Sequence, residues 1–161
     1  MNGSCRIRTL IGIGLTAMCL APLCAQTTAE PRERSLGQTV YVPVYSHIYR
    51  GDREDPFPLT ATLSIRNTDL NLPFTVLSID YSDSSGKLLR KYLDKPARMA
   101  PLASIRFIVK ESDRTGGSGA SFVVRWKSEK PVSQPLIESV MIGTRHQQGV
   151  SFTSRGQIIP D

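Results

Sequence analysis

Hydrophobic and polar residues alternate along much of the chain, with the period of two that is typical of half-buried β-strands. The clearest case is the segment 59–66, where Leu, Ala, Leu and Ile alternate with Thr, Thr, Ser and Arg. Prolines and glycines interrupt the chain at short intervals, and no segment after residue 38 has a convincing helical period. Further strand segments are 40–49, 77–81, 88–93, 105–110, 122–127, 136–144 and 150–153.

This pattern predicts an all-β fold, an antiparallel immunoglobulin-like β-sandwich of seven or eight short strands. The segment Ser84–Lys87 contains two serines and a glycine and lies between two of the strand segments, which predicts a hairpin. Four large apolar residues within the strand segments are the expected core between the two sheets: Leu63, Phe107, Phe122 and Trp126.

The first 25 residues have a different pattern. Arg6 and Arg8 precede an apolar run over residues 10–23, and Ala25 is a small residue at which cleavage can occur. This is the layout of a secretory signal peptide, and the run is short for a permanent helix across a hydrocarbon core of about 30 Å. We therefore expect an exported protein, periplasmic or secreted, and lipid anchoring through Cys24 is less favoured because the bulky Leu23 precedes that cysteine.

Removal of residues 1–25 changes the composition that matters for function. All three cysteines leave with that segment, so the mature chain has neither disulfides nor thiolate chemistry. We expect a flexible leader over residues 26–37 and a single domain over 38–161, with no later transmembrane segment. The net charge falls from +6 to +4, and the scattered basic residues argue against nucleic-acid binding. The oligomeric state stays open.

Five segments carry a family resemblance: YVPVYSHIYRG (41–51), LTATLSIRNTD (59–69), YSDSSGKLLRKYL (81–93), GGSGASFVVRW (116–126) and MIGTRHQQGVSF (141–152). Together they resemble one bacterial family, the domain of unknown function 3124. The resemblance covers about residues 38–159 and implies an exported, compact domain, with no functional residue to transfer. A weaker resemblance of residues 59–69 and the following hairpin to immunoglobulin-like modules of bacterial envelopes concerns the fold alone.

One predicted strand has a row of aromatic side chains. If residues 40–49 form a single extended strand, then Tyr41, Tyr45, His47 and Tyr49 share one face with Pro43. Such a face suits stacking against glycans or binding of peptides, and the proline favours an edge strand that a partner strand can extend. The alternative is that loops cover these tyrosines and bury them.

A glycine-rich loop is the second candidate for binding. Its residues Gly116, Gly117, Ser118 and Gly119 allow close approach of a ligand to the backbone, and successive amides in such a loop can bind an anion. The alternative is an ordinary long turn between two strands.

Candidates for catalysis are few. The mature chain has two histidines, His47 and His146, and no motif places either beside a nucleophile and a carboxylate. There is no metal-ligand spacing and no cofactor motif, so we expect no metal and no cofactor.

These observations favour a binding module for a protein or polysaccharide of the cell envelope over an enzyme. Two alternatives remain: an extracytoplasmic hydrolase that uses one of the histidines, and a structural or accessory subunit that docks by edge-strand pairing.

Overall fold

The structure is a computed structural model that describes residues 33–145 and 147–160, and these residues form strands and loops without a helix. Eight of the strands each correspond to one of the eight segments predicted from the sequence, and the four further strands are short. The strands are β1 (Arg34–Val44), β2 (His47–Arg50), β3 (Asp55–Pro58), β4 (Thr60–Arg66), β5 (Phe74–Ser82), β6 (Leu88–Lys91), β7 (Ala97–Met99), β8 (Ser104–Val109), β9 (Ala120–Ser133), β10 (Leu136–Arg145), β11 (Gln148–Arg155) and β12 (Gln157–Ile159).

Two antiparallel sheets and a short ribbon contain all of these strands. The six-stranded sheet has the order β12-β1-β9-β5-β6, with β7 also paired to β5. The four-stranded sheet has the order β11-β10-β4-β8, and β2 pairs with β3 as a separate two-stranded ribbon. The predicted all-β antiparallel fold is therefore confirmed, and the two larger sheets are consistent with a sandwich.

Apolar side chains from both larger sheets form one buried cluster. Three of the four predicted core residues are fully buried there, Leu63, Phe122 and Trp126. The fourth, Phe107, is half-buried at the margin of the cluster, where its ring meets the edge of Tyr92 at a centroid distance of 5.6 Å. The alternation of the sequence thus identified the face that each of these strands buries.

The first strand begins earlier than the predicted domain. Arg34 and Ser35 pair with the far end of β9, so residues 34–37 belong to the sheet rather than to a flexible leader. A register shift follows between Ser35 and Gly37, and the backbone of Gly37 lies so close to β9 that an added Cβ would meet the Trp126 carbonyl oxygen at 2.8 Å. The expectations for residues 1–32 lie outside the described residues.

A hydrogen-bonded corner follows β4. The Asn67 amide donates to the carbonyls of Leu72 and Ala100, both at 2.9 Å. Asp69 accepts the backbone amide of Ser133 at 3.0 Å and the Arg34 guanidinium at 2.9 Å, so one carboxylate joins β1, β9 and the loop after β4. The side chains of Asn67 and Asp69 are almost fully buried and hydrogen-bonded. The polar residues 67–69 therefore cap the end of β4.

Within residues 33–145 and 147–160 no helix is long and apolar enough to cross a membrane.

Candidate functional site

The predicted continuous strand over residues 40–49 is wrong, because the chain bends after Val44. Strand β1 ends at Val44, and His47 begins β2 in the separate ribbon. The bend is held at Ser46, whose backbone amide and hydroxyl both donate to the Gly117 carbonyl, at 3.0 and 2.9 Å. The Ser46 carbonyl also accepts the Leu59 amide at 3.0 Å. Ser46 therefore fixes both ends of the ribbon, which runs from residue 47 to residue 58.

The bend separates the candidate aromatic residues into three places. Tyr41 lies on the six-stranded sheet, where its register partners are Val123 and Gln157. Tyr45 lies at the bend and contacts the Phe152 ring edge to face at 5.6 Å. Only His47 and Tyr49 remain together, on the ribbon, so the structure does not form the continuous five-residue face.

The two faces of the ribbon carry different residues: an apolar face is turned toward the sandwich, and an aromatic and proline face is turned outward. In the β2–β3 register, His47 lies opposite Pro58 and Tyr49 lies opposite Pro56, so these four side chains share one face. On the other face Phe57 is buried. Gly143 lies beneath it, and an added Cβ there would meet the Phe57 ring at 2.6 Å. The ribbon is therefore packed onto the sandwich and holds its aromatic and proline face outward.

The two aromatic rings on that face fix one another. His47 Nε2 and the Tyr49 hydroxyl lie 3.2 Å apart, and the rings meet edge to face with centroids 5.1 Å apart. His47 is half-buried, whereas Tyr49 is 53% exposed. A large exposed aromatic side chain held by a neighbour is pre-organised for stacking, since little rotamer freedom remains to be lost on binding.

A groove of about 490 Å³ lies beside the ribbon. It brings together the ribbon, the loop after β8 and the end of β10, three segments that are distant in sequence. The Arg145 guanidinium donates to the Pro56 carbonyl at 3.3 Å and so joins two of them. The lining residues are Arg50, Asp55, Pro56, Pro58, Glu111, Arg114, Thr144 and Arg145.

Sequence analysis missed this groove. Arg50 and Asp55 belong to a run of mostly charged residues over 50–55, but nothing in the sequence places Arg114 or Arg145 beside them. The sequence signal that could have revealed the second strand of the ribbon is the alternation of Pro56 and Pro58 around Phe57, which is buried.

The glycine-rich loop packs against the turn between β5 and β6. The Ser84 hydroxyl donates to the Gly116 carbonyl at 3.1 Å and accepts the Gly119 amide at 2.9 Å. The Gly117 amide donates to the Arg114 carbonyl at 3.2 Å. Ser118 is half-buried between them. Two of the amides proposed for anion binding therefore already have acceptors within the protein.

Gly116 has a further neighbour, the hydroxyl of Tyr81. That hydroxyl is buried and has no hydrogen-bond partner among the described residues. Burial raises the pKa of Tyr81 to about 12, and the negative charge of Asp113 adds to the effect. Close packing over a neutral phenol thus accounts for Gly116, whereas Gly117 and Gly119 lie against Ser84.

The geometry around His47 does not form a catalytic dyad. Its Nδ1 lies 3.4 Å from the Ser46 hydroxyl, but that serine is fully buried and donates to the Gly117 carbonyl. His146 lies outside the described residues. Within the described residues no three His, Cys, Asp or Glu side chains come together in a group that would suit a metal ion.

Fold and groove define this chain as an antiparallel all-β protein of the sandwich type with an aromatic ribbon beside a charged groove. The chain belongs to the family described as protein of unknown function DUF3124, whose model matches residues 37–159. The resemblance identified from the sequence is confirmed.

Comparison with other proteins adds little beyond the family. No curated protein matches the chain. A solved structure, "Crystal Structure of Thermotoga maritima 1070", is similar at 11% sequence identity with a TM-score of 0.44, over 74% of this chain and 92% of that chain.

Proposed function

We propose that this protein is an extracytoplasmic binding module that holds a polysaccharide of the cell envelope at the ribbon and its groove. The observation that carries the proposal is the exposed Tyr49 ring, fixed by His47 and lying beside the groove. Export is part of the proposal and is supported by the signal-like residues 1–25.

The chemistry of the surface favours a sugar chain. Aromatic and proline rings present flat apolar faces to the C–H groups of a sugar, as on the ribbon face of Tyr49, Pro56 and Pro58. Guanidinium and carboxylate groups in the groove, including Arg114 and Glu111, offer paired donors and acceptors for hydroxyl groups. An open groove next to a stacking ring accommodates a segment of a long polymer without enclosing it.

Sedimentation with insoluble, protein-free envelope polysaccharide tests the proposal. Protein expressed from residues 1–161, with processing left to a bacterial host, is compared with Tyr49→Ser. We expect the variant to bind about tenfold more weakly, since an aromatic contact of about 1.4 kcal/mol corresponds to one factor of ten. Because Tyr49 is largely exposed, the melting temperature should stay close to that of the parent.

Tyr41→Ser is the matched control, because it makes the same chemical change on the six-stranded sheet. It should sediment with the polysaccharide as the parent does. Failure of the parent protein to sediment would refute polysaccharide binding, and equal binding by Tyr49→Ser would show that the ribbon is not the site.

A further inference from the structure

A second groove, of about 460 Å³, lies on the six-stranded sheet where β7, β5 and β9 run side by side. It shares no lining residue with the groove beside the ribbon. Three cationic side chains line it, Arg98, Lys127 and Lys130, together with one carboxylate, Glu129. Its remaining walls are largely apolar, so the cations dominate its chemistry.

The strand register places two of the cations on either side of one hydroxyl. Thr75 on β5 lies opposite Arg98 on β7 and opposite Lys127 on β9. Residues directly opposite one another in a sheet point to the same face, so the three side chains form one row across three strands. With strands about 4.8 Å apart, the two cationic residues are separated by about 10 Å at their Cα atoms.

These cations have no ion-pair partner, in contrast to their neighbour. One row along the same face, Arg125 is paired with Asp80 at 3.0 Å. In the part of the chain that the structure describes, neither Arg98 nor Lys127 has a carboxylate within the 4.0 Å that defines an ion pair. The two unpaired cations lie on one face with Thr75 between them, so an anion placed over Thr75 is attracted by both.

We propose that this row binds a phosphate group. The planar guanidinium of Arg98 presents two parallel donors to two oxygens of a tetrahedral anion, Lys127 supplies a second charge from the opposite side, and the Thr75 hydroxyl donates to a third oxygen. Thr75 is half-buried between the two strands, which limits the movement of its hydroxyl. The site lies apart from the proposed polysaccharide groove, so each proposal stands or fails separately.

Titration with inorganic phosphate, followed by the amide NMR signals of the protein expressed from residues 1–161, tests the site. The ionic strength is held low and constant with sodium chloride, because salt screens exposed charges. We expect saturable shifts centred on Thr75, Arg98 and Lys127. An absence of such shifts in the parent protein would refute the proposal.

Two pairs of variants separate a built site from a general effect of charge. The double variant Arg98→Gln/Lys127→Gln should bind phosphate at least about tenfold more weakly. Arg106→Gln/Lys110→Gln removes the same two charges from exposed positions at β8 in the other sheet and should bind as the parent does. Equal weakening by both double variants would overturn the proposal, since charge alone would then explain binding.

Thr75→Val isolates the hydroxyl, because it keeps the branched shape and the charge of the protein. We expect it to weaken phosphate binding about three- to tenfold. A Thr75→Val variant that binds as tightly as the parent would exclude Thr75 from the site and overturn the three-residue row.

The same titration with glycerol 3-phosphate and with dimethyl phosphate identifies the source of the group. Shifts with inorganic phosphate and glycerol 3-phosphate alone support recognition of a free or terminal phosphate. Shifts with dimethyl phosphate as well support recognition of the diesters within a phosphate-containing polymer.

Discussion

At the residue scale, several glycines of this protein are required by neighbouring atoms rather than by turn conformation. Gly37, Gly116 and Gly143 all lack a positive φ, yet an added Cβ at each would approach another atom to within 3 Å. These positions allow β1 to approach β9, the glycine-rich loop to cover Tyr81, and the ribbon to lie on β10. A sequence shows such glycines but not what they touch.

Gly116→Ala should destabilise the protein by about 1–3 kcal/mol, because the new methyl group would overlap the Tyr81 hydroxyl and lie 2.8 Å from the Ala120 Cβ. Gly149→Ala is the control, since its nearest neighbour would be Thr144 at 3.9 Å. Urea unfolding of both variants measures the difference. Equal stability of the two would contradict the packing role assigned to Gly116.

The aromatic residues show the limit of side-chain patterning at the same scale. Alternation correctly separates the buried Val42 and Val44 from the half-buried Tyr41. It fails beyond Val44, because the buried Ser46 hydrogen-bonds to Gly117, 71 residues away, and turns the chain. No local pattern in the sequence carries that contact.

At the element scale, the corner after β4 is a joint between strands that are distant in sequence. Backbone hydrogen bonds from Ser133, Asn71 and Leu72, together with the positive charge of the Arg34 guanidinium, lower the pKa of Asp69 to about 2. The ordinary value is 3.8, so the folded state holds this carboxylate ionised where the unfolded state begins to bind a proton. The contribution to stability is therefore complete above about pH 5 and is lost as the pH falls toward 2.

Asp69→Asn should flatten the fall in urea midpoint between pH 5 and pH 2, while lowering the midpoint at neutral pH, because the amide cannot accept the same set of charge-assisted bonds. Asp52→Asn, on the exposed turn of the ribbon, is the control for removal of one carboxylate. If Asp69→Asn keeps the acid dependence of the parent protein, then another group is responsible for it.

The longer strands were easier to predict from the sequence than the short ones. The long alternating segments at β4, β5, β9 and β10 were predicted because several residues in succession report the period. Strands β2, β3, β7 and β12 have four residues or fewer, too few to show a period, and they form because longer strands or the sandwich surface hold them. Strand β6 is equally short, and it was predicted because the turn residues Ser84–Lys87 precede it.

Pro43 was expected to favour an edge strand, and this describes part of β1 but not all of it. Strand β12 pairs with β1 only at residues 39–41, so β1 has strand partners on both sides there. At Pro43, β9 is the strand of the described residues that pairs with β1, and on the other side the Ser139 hydroxyl donates to the Pro43 carbonyl.

At the scale of the whole molecule, two of the grooves on the described residues are polar and lie apart from each other. One combines rings with mixed charges beside the ribbon, and the other is a basic row across three strands. The proposed polysaccharide and phosphate sites and the proposed export are consistent with one another, because sugar polymers and phosphate groups are components of a cell envelope.

Export predicts a defined product. Mass spectrometry of the protein recovered outside the cytoplasm of a bacterial host should show loss of residues 1–25, which leaves 136 residues from the total of 161. Leu15→Arg interrupts the apolar run and should keep the chain uncleaved inside the cell. Recovery of the parent protein only with Met1 or Asn2 at its start would contradict the predicted cleavage.

The sequence by itself determined the all-β class, the buried face of each long strand and the family, because each rests on local periodicity or on continuous segments. The tertiary structure alone decided the bend at Ser46, the groove beside the ribbon and the row through Thr75. Each of these depends on contacts between residues far apart in the chain. Such contacts follow from strand pairing and close packing, which no window of neighbouring residues specifies.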